Sequence, residues 1–254
     1  GFLACLDAGD LVFANFIAFE VVWQAVERGD AIDDVIGLSR RYAAFARDCR
    51  NDAVHQTIRV EQQFLACLKG LTRERTSFDD EAFQEAPCLA KITDAAFMCG
   101  VVFYHTMKLI AAYLFEDDAL TLHHAAEAQR TLPAAMAMPM EATFHFFHAL
   151  ALARVHGRAE EAERPEILRV LQDHSRKLGF WAECCPENFL AKHALVSAEI
   201  ARITGDELAA ERRYEEAIRS ARENGFVHWE ALANELAAMF HRDRGLETIA
   251  GAYL

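Results

Sequence analysis

The side chains of this sequence best suited to bind a metal or move a proton near neutral pH are its histidines, and several are clustered. His145 and His148 stand at i, i+3 on one helical face, and His123-His124 lie on a preceding helix. A zinc site needs three or four converging ligands with second groups holding them, and no Glu-x2-His or His-x3-His pair is present here. Interleaving with Phe144, Phe146 and Phe147 points instead to a core or groove role.

Glu20, His105 and Lys108 form a second set, because each sits within a helix that is otherwise apolar. A buried charge must be paired or functional. The plainer outcome is an internal salt bridge or a lysine that snorkels to solvent. The sharper one is that these residues line a concave surface and hold a peptide or a neighbouring domain. Glu20, His105, Lys108, His145 and His148 are therefore the candidate partner-binding residues, and no residue is a candidate catalytic, cofactor or metal ligand.

The seven cysteines (Cys5, Cys49, Cys67, Cys88, Cys99, Cys184, Cys185) are odd in number and lack metal-type spacing, usage that fits a reducing cytoplasm. The vicinal pair Cys184-Cys185 ends a helix and reads as inert. No Gly-x-Ser-x-Gly elbow, Gly-x4-Gly-Lys-Ser/Thr loop or Gly-x-Gly-x2-Gly run occurs, so hydrolase and nucleotide chemistry lack support.

Residues so placed need long helices to carry them. Apolar residues make up 53% of the 254, with 12 Gly and 5 Pro and few β-branched runs, a balance that points to nearly all helix. The net charge of −13 makes nucleic acid and anionic membrane poor partners. Ala95 to Phe115 is membrane-like, apolar apart from His105, Thr106 and Lys108, but its flanks are acidic and a lysine near mid-span costs roughly 2.5–3.5 kcal/mol. It reads as a helix covered on every side inside a soluble protein.

Helical periodicity runs along nearly the whole chain. It predicts helices over Leu11–Arg28, Ile32–Arg50, Val54–Lys69, Thr93–Phe115, Ala119–Arg130, Glu141–His156, Pro165–Leu178, Phe189–Thr204, Glu207–Asn224 and His228–Arg244, with a final turn at Leu246–Leu254. Leu71 to Ala90 is the least periodic stretch, where Ser77 followed by Asp80 and Glu81 reads as the start of a short helix. The turn positions Asp118, Gly157, Gly205 and Gly245 are spaced by 39, 48 and 40 residues. A period near 40 over helix pairs predicts an all-α fold. That fold is an α-solenoid, a right-handed superhelix of tetratricopeptide (TPR)-like hairpins with roughly ten to twelve helices, and it forms a single domain over residues 1–254. Phe189, His193, Val196, Ile200 and Ile203 mark one core stripe, and Trp229, Leu232, Leu236 and Phe240 another. Glu199 and Arg202, then Glu211, Arg212, Glu215 and Arg219, read as ion pairs on solvated faces.

An ordered series of residues also resembles a known family. Trp181-Ala-Glu-Cys-Cys-Pro-Glu-Asn-Phe189, Lys192, Ala198 to Arg202 with Gly205, Tyr214 to Phe226 and Glu230 to Ala237 carry the likeness. Gly9-Asp10, Gln62, Lys108 with Tyr113-Leu114, and Phe147 to Ala151 follow the same order. The series is similar to the helical region of very large bacterial signalling proteins that join a Ser/Thr-kinase-like domain, an AAA-type ATPase, a sensor domain and a histidine kinase. The chain departs from that pattern at His228-Trp229, Met239 to His241 and Ala250-Gly251. The resemblance implies a non-catalytic cytoplasmic scaffold without cofactors, which relays or restrains between an NTPase switch and kinase output. Its partners would be the ATPase, sensor and kinase domains of its own chain, or a peptide or protein in trans.

The start at Gly1-Phe2-Leu3 without an initiator Met reads as a fragment of a longer protein. Leu3 and Leu6 at one end, and Ile249, Tyr253 and Leu254 at the other, are then expected to be exposed and to support weak self-association. The alternative function is an effector-binding sensory domain, with the enlarged repeat between Gly157 and Gly205 and the Leu71–Ala90 segment forming a pocket for a small molecule or peptide.

Overall fold

Seven turns of this chain share one plan, in which a residue with positive φ follows one helix and the next residue caps the start of another. Four of them pair a left-handed residue with Asp or Asn: Gly9 with Asp10, Arg50 with Asn51, Glu116 with Asp117, and Gly205 with Asp206. In each, the side-chain oxygen of the second residue accepts the amide three positions on, that of Phe13, Val54, Leu120 or Ala209, at 3.0–3.2 Å. Its own amide donates back to the carbonyl five positions earlier at 2.8–2.9 Å, from Asp10 to Cys5, Asn51 to Ala46, Asp117 to Ala112 and Asp206 to Ala201. Two residues thus satisfy the orphan groups of two helix ends, which forces consecutive helices into tight hairpins.

The computed structural model describes residues 1–254 and carries thirteen α-helices. They are α1 (Phe2–Asp7), α2 (Leu11–Arg28), α3 (Ile32–Asp48), α4 (Asp52–Leu68), α5 (Glu85–Asp94), α6 (Met98–Leu114) and α7 (Asp118–Thr131), then, after a 3-10 turn at Leu132–Ala135, α8 (Pro139–His156), α9 (Arg164–Cys184), α10 (Pro186–Thr204), α11 (Glu207–Glu223), α12 (Val227–Asp243) and α13 (Glu247–Tyr253). The architecture is all-α, a series of helix hairpins of the α-solenoid class. No helix is long and apolar enough to cross a membrane.

Two stretches differ from the periodicity. Thr93–Phe115 is not one helix, because Ala96 adopts φ +53 and separates α5 from α6. Ser77 does not open a helix. Its hydroxyl accepts the Asp79 amide, Asp80 accepts the amides of Ala82 and Phe83, and Asp79 accepts that of Glu85. These local bonds compete with helix formation and hold residues 77–84 in turns until α5 begins.

The contacts gather into two compact units, residues 1–144 and 145–254. In the first, an aromatic ladder joins α2, α4, α6 and the irregular segment. Phe19 meets Phe103 at 5.1 Å, Trp23 meets both Phe103 and Phe64 at 6.0 Å, and Phe78 meets Phe64 at 6.2 Å and Tyr104 at 6.3 Å. Each such pair contributes about 0.5–1.5 kcal/mol beyond burial. Helix α6 is buried along most of its length, and a Cβ on Gly100 would come within 2.5 Å of Thr57 Oγ1. That glycine lets α4 and α6 approach closely.

In the second unit Trp229 packs on Phe146 at 5.3 Å and on Phe147 at 5.8 Å, and Tyr214 packs on Phe240 at 5.4 Å. Glu199 is buried rather than solvated. It accepts from the Tyr214 hydroxyl and from Arg202 at 2.6 Å, and Arg202 also caps the Ala153 carbonyl at 3.2 Å. Two acids of α11 reach other helices, Glu211 pairing with Arg244 at 2.8 Å and Glu215 accepting the Tyr253 hydroxyl at 2.6 Å, while Glu216 pairs along its own helix with Arg213 at 2.5 Å. Leu3, Ile249 and Leu254 are exposed as expected, whereas Leu6 and Tyr253 are half-buried, the latter stacked on His241.

Candidate partner-binding residues and clefts

The five residues singled out by sequence do not form one site: Lys108, His105 and the pair His145 and His148 each find partners that sequence reasoning missed, and Glu20 faces other acids. Lys108 lies buried on α6, where its ammonium donates to Glu85 Oε2 at 2.9 Å and to the Thr76 carbonyl at 2.6 Å. It also stands 4.6 Å from the Phe78 ring, and the Tyr104 hydroxyl shares Glu85 at 3.2 Å. The lysine therefore fastens the irregular segment to α6 and does not reach an open groove. Three opposing interactions around one ammonium offset its desolvation.

His105, on the same helix, places Nδ1 2.9 Å from Nδ1 of His124 on α7. One ring must donate and the other accept, so the pair exists as complementary tautomers. Burial pushes His105 down to about 4 and His124 down to about 3, the nearby cations adding to the effect at His124. Both are neutral at pH 7. His123 is exposed beside them.

His145 and His148 do come together, through His174 of α9. His145 Nδ1 is 2.7 Å from His174 Nδ1, and His174 Nε2 is 3.1 Å from His148 Nδ1. Burial, then neighbouring cationic or histidine groups, drives all three down to about 3. A neutral imidazole has one N–H and one lone pair, so His174 must donate to one neighbour and accept from the other. The three rings form a directional hydrogen-bond chain. Because His174 presents different nitrogens to its two neighbours, the rings do not aim at one point, and no group of three His, Cys, Asp or Glu side chains in the protein is arranged to hold a metal ion.

Glu20 is half-buried on α2 and coupled to two other acids, Glu27 on its own helix and Glu61 on α4. Burial, with Glu27 adding, raises Glu20 to about 7, and Glu61 is pushed well above the carboxylate range by burial and by Glu20. Neither oxygen of Glu61 has a hydrogen-bond partner, and Glu61 is completely shielded from solvent. An uncompensated buried carboxylate holds its proton. Glu61 and His174 sit on the apolar stripes of their helices, at the steps Val54, Ile58, Glu61, Leu65 and Leu171, His174, Leu178. That placement was a readable signal.

Several residues that carry the family likeness pack against one another. Trp181 packs on Phe189 at 5.8 Å, with the Lys177 ammonium 5.4 Å from its ring, and Lys192 lies 4.9 Å from the Trp229 ring. Cys185, at the α9–α10 junction, accepts from Asn188 at 3.2 Å, and all seven cysteines are free.

The surface carries several open concavities. One of about 850 Å3 runs along α11 past Leu208, Arg212, Glu215 and Arg219. In the first unit, one of about 460 Å3 lies among His55, Arg59, Phe83 and Lys91, and one of about 420 Å3 among Lys69, Arg73, Arg75 and Phe115. None is a closed cavity with converging polar groups.

No curated protein and no solved structure matches the chain. Residues 89–238, from within α5 to within α12, match the family model described as CHK1-like TPR repeats, and the turn-by-turn hairpin plan agrees with that match; the chain belongs to the family of CHK1-like TPR repeats.

Proposed function

We propose that the chain is a non-catalytic protein-interaction scaffold that relays or restrains between an NTPase switch and kinase output within a bacterial multidomain signalling protein. The observation that carries it is the TPR-repeat match over most of α5–α12, since stacked helix hairpins present extended surfaces to other proteins. The order of residues from Trp181 to Ala237 supports the signalling setting. Glu20 and His105 in the first unit and His148 in the second are the partly exposed members of the candidate set, and each contributes its side chain to the partner-facing surface of its own unit. Lys108 and His145 are buried, each supporting its own unit from within.

Deletion of this region from the parent protein tests the reading. Altered domain arrangement by small-angle scattering and altered kinase output are expected. Unchanged arrangement together with unchanged output would refute it.

A further inference from the structure

On a chain of net charge −13, Lys69, Arg73 and Arg75 bring three cations to one concavity of about 420 Å3 that also touches Cys67, Leu68 and Phe115. Lys69 is held by Asp33, but Arg73 and Arg75 are exposed and have no acidic partner. Arg28, Arg130, Arg169, Arg222 and Arg244 are ion-paired, and Arg212 and Arg219, which form no salt bridge, share their concavity with Asp206, Glu211, Glu215 and Glu216. Glu74 is the one acid in the lining.

The loop that carries these arginines is irregular yet fixed from several sides. Cys67 Sγ donates to the Arg75 carbonyl at 3.0 Å, the Arg73 amide to the Asp79 carbonyl at 2.9 Å, and Lys108 to the Thr76 carbonyl at 2.6 Å. The Thr72 hydroxyl and the Ser77 amide both donate to the Glu74 carbonyl, at 3.0 Å and 3.2 Å. Much of the polar backbone is thereby used to hold the loop, while two guanidinium groups are left to the solvent. With the loop backbone fixed in advance, ordering on binding an anion falls mainly on the two arginine side chains.

We infer that this concavity binds the phosphoryl group of a phosphorylated serine or threonine in a partner segment, with Arg73 and Arg75 as the forks and Lys69 as the third cation. A dianion with three acceptor oxygens matches two guanidinium groups, where a lone carboxylate would occupy one. Exposed Leu71 and half-buried Phe115 give apolar ground for the residues beside the phosphate. The arginines lie outside the residues matched to the TPR-repeat family. The inference rests on the reading of the chain as an interaction scaffold.

The test is fluorescence anisotropy on the 254-residue chain with a degenerate phosphoserine/phosphothreonine peptide library, its unphosphorylated counterpart, and inorganic phosphate as competitor. The phosphorylated library should bind at least about tenfold tighter than the unphosphorylated one and more weakly as salt rises. Arg73→Ala/Arg75→Ala should abolish that difference with helicity unchanged, and Arg73→Lys/Arg75→Lys should retain part of it. Equal binding of both libraries, full binding by the alanine pair, or capture of inorganic phosphate without the phosphorylated library would each overturn the inference. Binding of a flanking domain that persists alongside equal library binding would overturn it while leaving the scaffold reading intact.

Discussion

The ammonium of Lys108 lies 2.9 Å from the carboxylate of Glu85, a contact that ties the middle of α6 to the start of α5, where the irregular segment ends. Both side chains are largely buried, so removing one leaves the other charge uncompensated. Lys108→Met should lower the unfolding free energy by about 2–4 kcal/mol and speed hydrogen exchange in residues 71–84. Lys108→Met/Glu85→Leu should recover much of the loss. Chemical denaturation that gives the single variant wild-type stability would contradict the clamp.

The histidine chain sets an acid limit on the second unit. His145, His148 and His174 are held at about 3 when folded, against an ordinary value of 6.5, so unfolding takes up protons between those values. Their stabilisation is complete above pH 6.5 and is lost as pH falls toward 3. His174→Leu should remove about one proton from the uptake, and the stability of the variant should fall less steeply from pH 6.5 to 4 than that of the wild type. Parallel pH profiles from denaturant titrations would count against buried neutral rings.

Glu20 acts in the opposite sense. Its folded value of about 7 lies above the ordinary 4.5, so the folded protein holds a proton that the unfolded chain releases. Stability from this group is present below pH 4.5 and is lost as pH rises through 7. Glu20→Gln should therefore be near neutral at pH 5 and stabilising by about 1–3 kcal/mol at pH 8. A variant no more stable than wild type at pH 8 would show that the carboxylate is solvated.

Ala96 is exposed and occupies the left-handed region at φ +53, where its Cβ is strained. Ala96→Gly should stabilise the protein by roughly 0.5–1 kcal/mol through relief of that strain. A loss of thermal stability on this substitution would place the α5–α6 turn in another conformation.

What could be read in advance follows from how local each feature is. Gly29, Gly205, Gly225 and Gly245 mark their turns openly, because glycine adopts positive φ without steric cost. Arg50, Ala96, Glu116 and Ala137 adopt the same backbone with ordinary side chains, so nothing in the residue type signals it. Ala96 accordingly hid a break inside an apolar run. Of the two apolar stripes read from period, Trp229, Leu232, Leu236 and Phe240 are all buried, whereas of Phe189, His193, Val196, Ile200 and Ile203 only Val196 is, because the inward face of α10 also carries Lys192, Leu195 and Glu199. The partners of Lys108, His105 and His145 were not legible, since Glu85, His124 and His174 lie 19 to 29 residues away and pairing depends on how helices pack. Glu199 looked solvated because Arg202 stands three residues on, but the α10–α11 contact buries both its oxygens among Arg202 and Tyr214.

The scaffold account is tested most directly by calorimetric titration of the 254-residue chain with separately produced ATPase, sensor and kinase domains of the multidomain signalling protein in which the proposed function places it. Saturable binding of at least one domain, in about the micromolar range expected of contacts between domains of one chain, is the predicted result. His105→Ala and His148→Ala should weaken it. Absence of heat and of co-sedimentation with every domain at high concentration would contradict the account.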